Sequence, residues 1–414
     1  MNEISAGRNA PRGSSPLAAR ILAVIASGQA TSRAELAQLL GAAPSTISLT
    51  VGQLLSRGLL AERGTRSSSG GRPRKILVVG GRDEFAVAAD LGAHHARVGI
   101  VLPGGGLADV STVPFAISDG PEPSLSRLAD TLEELVRRRG LERLRGVGIA
   151  LPGPVDTEAG MVTLPSRMPG WNRFPVGDWL RERFAVPAAV DNDANCMAIG
   201  EHTVRPPEVR QSIMVKTGSA IGAGIIADGK LYRGATGVAG DITHVRIDAA
   251  GDTPCSCGNT GCLETVASGA ALVRILRERG ADVHSTEDVV RLTSDADPEA
   301  TRAVRTAGRY LGEVLAANVN FFNPSAVYLG GILSTLEPFV AAVRSQLYEG
   351  CHPLVTEHLT IERASLGADA GLVGAGQFAL QRAFNQALTS LASEPDAAEP
   401  VPLPPAGPPL APGP

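Results

Sequence analysis

The chain has 414 residues, 43% hydrophobic and 19% charged, with a formal net charge of −4; that is enough for two or three domains around a sizeable core. No apolar run approaches the ~18 residues a membrane span needs, and the polar first fifteen residues hold no hydrophobic signal region. Five cysteines, an odd number in so long a chain, do not make a secreted disulfide framework, so a soluble cytoplasmic protein without membrane contact is expected.

The charge is unevenly spread. Residues 1–82 carry eleven of the 38 basic residues but only three of the 42 acidic ones, and a basic head on an acidic body suits a polyanionic partner. Residues 1–14 are expected to be a flexible N-terminus. From 15 to 82 three helical segments follow at short intervals. "PLAARILAVIAS" places Leu17, Ile21, Val24 and Ile25 at helical spacing. "TSRAELAQLLG" starts with a capping box, Ser32 and Glu35, and stops at Gly41. "APSTISLTVGQLLSRG" runs from Pro44, suited to a first turn, to Gly58.

The "GAA" between the last two matches the short linker of a helix-turn-helix. In that motif the later helix enters the major groove by its N-terminal residues, here Ser45, Thr46 and Ser48. "LLAERGTRSSSGGRPRKILVV" then reads as two strands around a basic, glycine-rich wing. Within it Arg72, Pro73, Arg74 and Lys75 form an extended basic segment, since proline disfavours helix for its predecessor. Such arginines can enter a narrow minor groove. A winged helix-turn-helix domain that binds double-stranded DNA is expected; a helical-hairpin protein-interaction module is the competing reading.

Beyond residue 82 two stretches share a plan. "EFAVAADLGAHHARVGIVLPGG" and, about 130 residues on, "QSIMVKTGSAIGAGIIADGKLYRG" each give a strand, a small-residue turn and a return strand. A repeat of that kind suggests a duplicated nucleotide-binding architecture whose turns meet phosphates through backbone N–H groups. "LRGVGIALPGPVD", "AAVDNDANC" and "SAVYLGGIL" add short apolar strands, and "PEATRAVRTAGRYLGEVLAANVNFF" is the longest helical segment. Strands alternating with helices predict an α/β body.

"PCSCGNTGCLE" packs Cys255, Cys257 and Cys262 into eight positions. One residue between the first two rules out a C-x-x-C redox pair, and Gly-Asn-Thr-Gly lets the chain curl around an ion. Three thiolates so placed suit Zn²⁺, which needs a fourth ligand to close a tetrahedral structural site. The nearest imidazole is His244, eleven residues before Cys255; His94 and His95 are far away in sequence.

"GATGVAGDITHVRIDAAGDTPCSCGNTGCLETVASG", with "LPGPVD", "MPGW" and "DNDAN" in order before it, resembles the signature of the ROK family of bacterial sugar kinases and sugar-responsive repressors. The resemblance covers roughly residues 15–385, head included. It implies a two-lobed, actin-like ATPase body over 83–392, a small carbohydrate or sugar phosphate in the interlobe cleft, and a homodimer or homotetramer whose heads meet paired operator half-sites. By the same resemblance Asn192 and Asp193 match the sugar-binding pair, and Asp193 is the general base in the kinases. His244 matches a residue that holds zinc and faces the sugar, Glu264 a sugar-hydroxyl acceptor, and Asp241 stands where the family has a glutamate. Without the rest, "DNDAN" would read as an Asx-rich turn.

Departures from the kinases in the phosphate turns argue against ATP and Mg²⁺. The first turn is Asp90-Leu-Gly92-Ala93-His94 in place of Asp-Gly-Gly-Thr, with bulky His94 where backbone must approach phosphate. The second is Gly218-Ser219-Ala220-Ile221-Gly222, in which Ala220 stands where a glycine can take positive φ. Thr243 replaces a glycine, and Asp241 is one methylene short. Since phosphoryl transfer is mostly positioning and charge stabilisation, the expectation is sugar binding without efficient phosphorylation: a sugar-responsive DNA-binding regulator, with an ATP-dependent hexose kinase as the alternative. The Pro/Ala-rich residues 393–414 are expected to be a disordered or polyproline tail.

Overall fold

The computed structural model describes residues 17–26, 29–66, 74–80 and 84–393. The chain divides into two compact units, residues 1–82 with 384–414 and residues 83–383. The expected N-terminus, the tail beyond Ser393, and Arg72 and Pro73 lie outside the described residues.

The first unit holds α1 (Leu17–Ala26), α2 (Arg33–Leu40), α3 (Pro44–Ser56) and an antiparallel pair, β1 (Leu60–Arg66) and β2 (Arg74–Val79). Ile21, Leu22, Ile25, Leu36, Ile47, Val51, Leu54, Leu60 and Leu77 form its core, with Phe384 and Leu388 from the last helix packed against it. Ser32 caps α2 by accepting the Glu35 N–H at 3.3 Å. The Glu35 carboxylate takes the Thr31 N–H at 2.7 Å, so the reciprocal half of the box reaches one residue further back. Gly41, at φ 64°, supplies the left-handed stop that lets α3 begin three residues later. Burial of Ile47, Val51 and Leu54 turns the opposite face of α3 to solvent, where Ser45, Thr46, Ser48 and Leu49 are exposed.

The second unit contains two sheets of the same design. The first comprises β3 (Phe85–Leu91), β4 (His95–Val101), β5 (Leu107–Pro114), β6 (Leu144–Leu151) and β9 (Ala188–Asn192), in the order β5-β4-β3-β6-β9; β7 (Val155–Asp156) and β8 (Met161–Val162) form a small separate pair. The second comprises β10 (Ser212–Thr217), β11 (Ile221–Ala227), β12 (Lys230–Tyr232), β13 (Ala326–Gly330) and β14 (Thr360–Arg363), in the order β12-β11-β10-β13-β14. In each sheet an antiparallel three-strand meander leads and two parallel strands are added to its first strand. The repeat read from the two hairpins is therefore a repeat of whole sheets, and the two-lobed actin-like α/β architecture follows from it.

Helices α4 (Pro121–Arg139) and α5 (Val176–Phe184) pack on the first sheet. α4 buries Leu125, Leu128, Leu132, Leu135 and Val136 at helical spacing. In the second lobe α7 (Glu264–Ala267), α8 (Gly269–Glu278), α9 (Thr286–Ser294), α10 (Pro298–Phe322), α11 (Glu337–Gly350) and α12 (Pro353–Thr356) build the larger core.

Two helices remain, and they connect the lobes. α6 (Asp193–Val204) leaves β9 and lies on β11, where Gly224 lets it approach: a Cβ there would stand 2.6 Å from the Ala194 carbonyl. α13 (Ala370–Ser393) lies on β6 in the same manner, with Gly148 beneath the Ala375 carbonyl. The two helices meet where Gly374 faces the Cys196 carbonyl and Gly200 faces that of Ala370. A side chain at any of these positions would push helix from sheet or helix from helix.

Candidate functional site

The cysteine knuckle is built by backbone pairing. Ile247 N–H donates to Gly261 O (2.9 Å), Leu263 N–H to Val245 O (2.9 Å) and Glu264 N–H to Thr243 O (3.1 Å). This sets residues 243–247 beside 261–264 and puts His244 next to Cys262. The tip closes by Cys255 N–H to Asn259 O at 2.8 Å, with Gly258 at φ 90°. The four ligand atoms lie within 4.8 Å of one another. His244 Nδ1 is 3.6 Å from Cys255 Sγ, and Cys257 Sγ is 3.7 Å from Cys262 Sγ.

Tetrahedral bonds of about 2.0–2.3 Å place ligand atoms about 3.5–3.8 Å apart, so this donor set can hold one metal ion. Burial and the adjoining sulfurs push the Cys262 thiol up to about 12, while the Asn259 N–H draws Cys257 down. Metal binding must therefore displace a firmly held proton.

The same pairing delivers Glu264 to the first position of α7. Glu264 is 4% exposed; Oε1 receives Arg167 Nη2 at 2.8 Å, and Oε2 is buried with no partner among the described residues. Burial raises its pKa above the ordinary carboxylate value, and Arg167 opposes that. Thr243 is buried and donates its hydroxyl to Ile221 O at 2.6 Å, fastening this segment to β11. Asp241 is exposed and its side chain makes no hydrogen bond among the described residues.

In "DNDAN" the roles divide. Asp191 accepts Asn195 Nδ2 (2.9 Å) and Arg233 Nη2 (2.6 Å) and is a structural anchor. Asn192 caps α6, taking the Ala194 N–H at 2.9 Å, and donates Nδ2 to Gly153 O at 3.0 Å. The Asx-turn reading thus holds for the backbone, yet Asn192 keeps one amide N–H to offer. Asp193, at the first position of α6, is 6% exposed and is ion-paired with Lys216. Lys216 also feels Asp90 and Glu264, which gathers Asp90, Asp193, Lys216 and Glu264 into one cluster.

One expectation about the turns, the positive φ at position 220, needs correction. Ala220 is not at positive φ, so its methyl imposes no backbone strain. Gly222 serves packing: a Cβ there would meet the Ala194 Cβ of α6 at 3.1 Å. In the first turn His94 stands exposed, and the His95 ring also lies against Gly92, 3.5 Å from where a Cβ would sit. Sequence reasoning missed Lys216, Arg167, Asp191 and Arg233; the signal available was only their adjacency to "TGSAIG", "MPGW", "NDAN" and "GATG".

Among the wing residues, Lys75 is exposed and ion-paired with Glu62, which also receives Arg33 at 2.8 Å. Arg74 opens β2 opposite Arg66. No helix among the described residues is long and apolar enough to cross a membrane.

The ROK family pattern matches residues 86–382. The xylose repressor of Bacillus spizizenii is 30% identical over 354 residues, 84% of this chain and 91% of that protein. The glucokinase of Halalkalibacterium halodurans is 30% identical over 319 residues, 72% of this chain and 96% of that protein. A crystal structure described as a ROK family transcriptional regulator, homologous to the E. coli MLC protein, superposes with a TM-score of 0.73 at 25% identity, covering 91% of this chain and 98% of the other. With the paired five-stranded sheets and the His244–Cys255–Cys257–Cys262 knuckle, these matches establish that the chain belongs to the ROK family.

Proposed function

We propose that the protein is a transcriptional repressor that binds double-stranded operator DNA through its N-terminal unit and responds to a small carbohydrate or sugar phosphate held in the body. What carries the reading is the reach of its similarity to the xylose repressor: 354 aligned residues exceed the whole unit from Asp83 to Ala383 and must include part of the head. In this reading the N-terminal unit is a winged helix-turn-helix: α3 offers Ser45, Thr46 and Ser48 to the major groove, and the β1–β2 wing offers Arg72, Pro73, Arg74 and Lys75 to the backbone and minor groove. Homodimers or homotetramers present two heads to paired half-sites.

Asn192, Asp193, His244 and Glu264 form the sugar site, with Asp241 at its rim. Buried carboxylates and an amide with spare hydrogen-bonding capacity suit vicinal hydroxyls, and Oε2 of Glu264 is an acceptor awaiting a donor. The knuckle holds structural zinc: three thiolates and an imidazole use all four tetrahedral positions and leave none for a reacting water. Zinc keeps Cys262, and hence Glu264 two residues on, in place. A ligand alters DNA affinity only by binding the DNA-competent and incompetent arrangements unequally.

The test is fluorescence anisotropy on operator fragments with a panel of sugars and sugar phosphates. A shift in operator affinity with one of them is expected; none with any member of the panel overturns the reading. The similarity to a glucokinase across the body favours a second reading, a hexose kinase with Asp193 as general base. Sugar-dependent ADP release that is abolished by Asp193→Asn would establish it.

A further inference from the structure

We propose that Lys216 is the resident cation of the cleft: its ammonium neutralises the Asp90–Asp193 carboxylate pair in the place of a divalent metal, so the site takes its ligand without metal or nucleotide. Asp90 and Lys216 stand at matching places in the repeated sheets. Each lies near the end of the strand that begins its sheet, just before the hairpin turn, on β3 and β10. Asp193 opens α6 beside them.

Each oxygen of Asp193 already accepts one hydrogen bond. Oδ2 accepts the Lys216 ammonium, and Oδ1 accepts the Ala194 N–H at 2.7 Å. The Lys216 side chain is 25% exposed and that of Asp193 8%, so the pair is poorly screened by water. The Asp90 carboxylate is pressed against α13, where a Cβ on Gly371 would come within 2.1 Å of Oδ2. It has no hydrogen-bond donor among the described residues, and the cationic neighbours acting on it are Lys216 and Arg97. Arg97 is itself ion-paired with Asp369, which leaves Lys216 as the counter-charge. Burial alone would lower the Lys216 pKa, but Asp193 and Asp90 together hold it above its ordinary value, so the ammonium stays charged.

The neighbouring turns agree. A Mg²⁺–nucleotide needs a metal between carboxylates and free N–H groups for its phosphates. Here the Gly92 N–H is spent on His95 O at 2.8 Å and the Gly218 N–H on Ala220 O at 3.1 Å. Ser219 Oγ is 3.2 Å from Thr286 Oγ1. With an ammonium paired to Asp193 and acting on Asp90, the residues present do not fit a metal–nucleotide complex.

The proposal is tested on the full-length, zinc-loaded protein by Mn²⁺ binding, read by electron paramagnetic resonance. The native chain is expected to bind no Mn²⁺ in the cleft. Lys216→Met should bind one Mn²⁺ per chain at least tenfold more tightly than any native site, and Lys216→Met with Asp193→Asn should lose it. Equal binding by native protein and Lys216→Met, or no gain in the variant, overturns the proposal. Should Lys216→Met fold poorly, Lys216→Met with Asp90→Asn, which restores the native charge sum, is expected to recover the native melting temperature. If it melts as low as the single variant, Lys216 is not a counter-ion and the proposal fails.

Discussion

Arg167 donates to Oε1 of Glu264 at 2.8 Å, while the other oxygen of that carboxylate is buried and unbonded among the described residues. A buried acceptor left unpaired costs about 1–3 kcal/mol, and a ligand hydroxyl donating to Oε2 would recover it. Glu264→Ala should therefore weaken carbohydrate binding by roughly 10- to 100-fold, read by titration calorimetry with the sugar that shifts operator affinity. Arg167→Ala should weaken it less, because Arg167 orients the carboxylate but is 46% exposed. Unchanged affinity in Glu264→Ala would remove Glu264 from the site.

The Asp90 carboxyl is raised to about 6, chiefly by burial, with Lys216 opposing and Asp193 adding to the shift. The unfolded chain releases this proton near 3.8 and the folded chain only near 6. Folding stability thus falls as pH rises through that window and levels off above it, by at most about 3 kcal/mol. Asp90→Asn abolishes the fall. Calorimetry should show the variant melting a few degrees above the native protein at pH 8 and close to it at pH 4; an equal difference at both would rule out Asp90 as the titrating group.

Hairpin patterning, the knuckle and the long helix were legible because each has a local cause. Alternating apolar residues flank the turns, cysteine spacing fits one ion, and Pro298–Phe322 coincides with its helical run. The third strands β5 and β12 and the last strand β14 carried little signal, since β5 is half exposed along its length and β14 buries only Ile361. Ion pairs such as Lys216–Asp193 and Asp191–Arg233 join residues 23 and 42 positions apart, and no periodicity announces them. Charge in the wing was visible, but its pairing was not: Lys75 reads as free in the sequence and is tied to Glu62 in the fold.

At the crossing of α6 and α13, a methyl on Gly374 would stand 1.7 Å from the Cys196 carbonyl oxygen. Backbone cannot yield there without parting the two helices that join the lobes. Gly374→Ala should cost about 3 kcal/mol or more, with loss of a cooperative melt for the body. Gly104→Ala is the control. Its φ of 83° carries strain but nothing lies within 4 Å, so it should cost only about 1–2 kcal/mol. Similar melting of the two variants would show that the crossing tolerates separation.

The zinc proposed for the knuckle predicts one metal per chain by mass spectrometry of the purified protein. Cys262→Ala should reduce that to near zero, because the lost ligand is the buried one that also anchors the 243–247 pairing. Glu264 then loses its placement, and carbohydrate should no longer shift operator affinity. Operator binding itself should persist, since no residue of the N-terminal core belongs to the knuckle. Full metal content in Cys262→Ala would exclude the four-ligand site.

The wing can be dissected by salt. Each phosphate neutralised by a side chain contributes about 0.9 to the slope of log affinity against log salt. Arg72→Ala should lower the slope by roughly that amount and weaken binding to all sequences alike. Lys75→Ala should change it less, because its ammonium is shared with Glu62 and its removal also frees that carboxylate to pair with Arg33 alone. Glu62→Gln should act in the opposite sense, releasing Lys75 and Arg33 toward the phosphates and raising affinity at low salt. Anisotropy titrations between 50 and 200 mM salt, the range over which phosphate contacts dominate roughly, separate the three. Identical slopes for Arg72→Ala and the native protein would take the wing off the DNA.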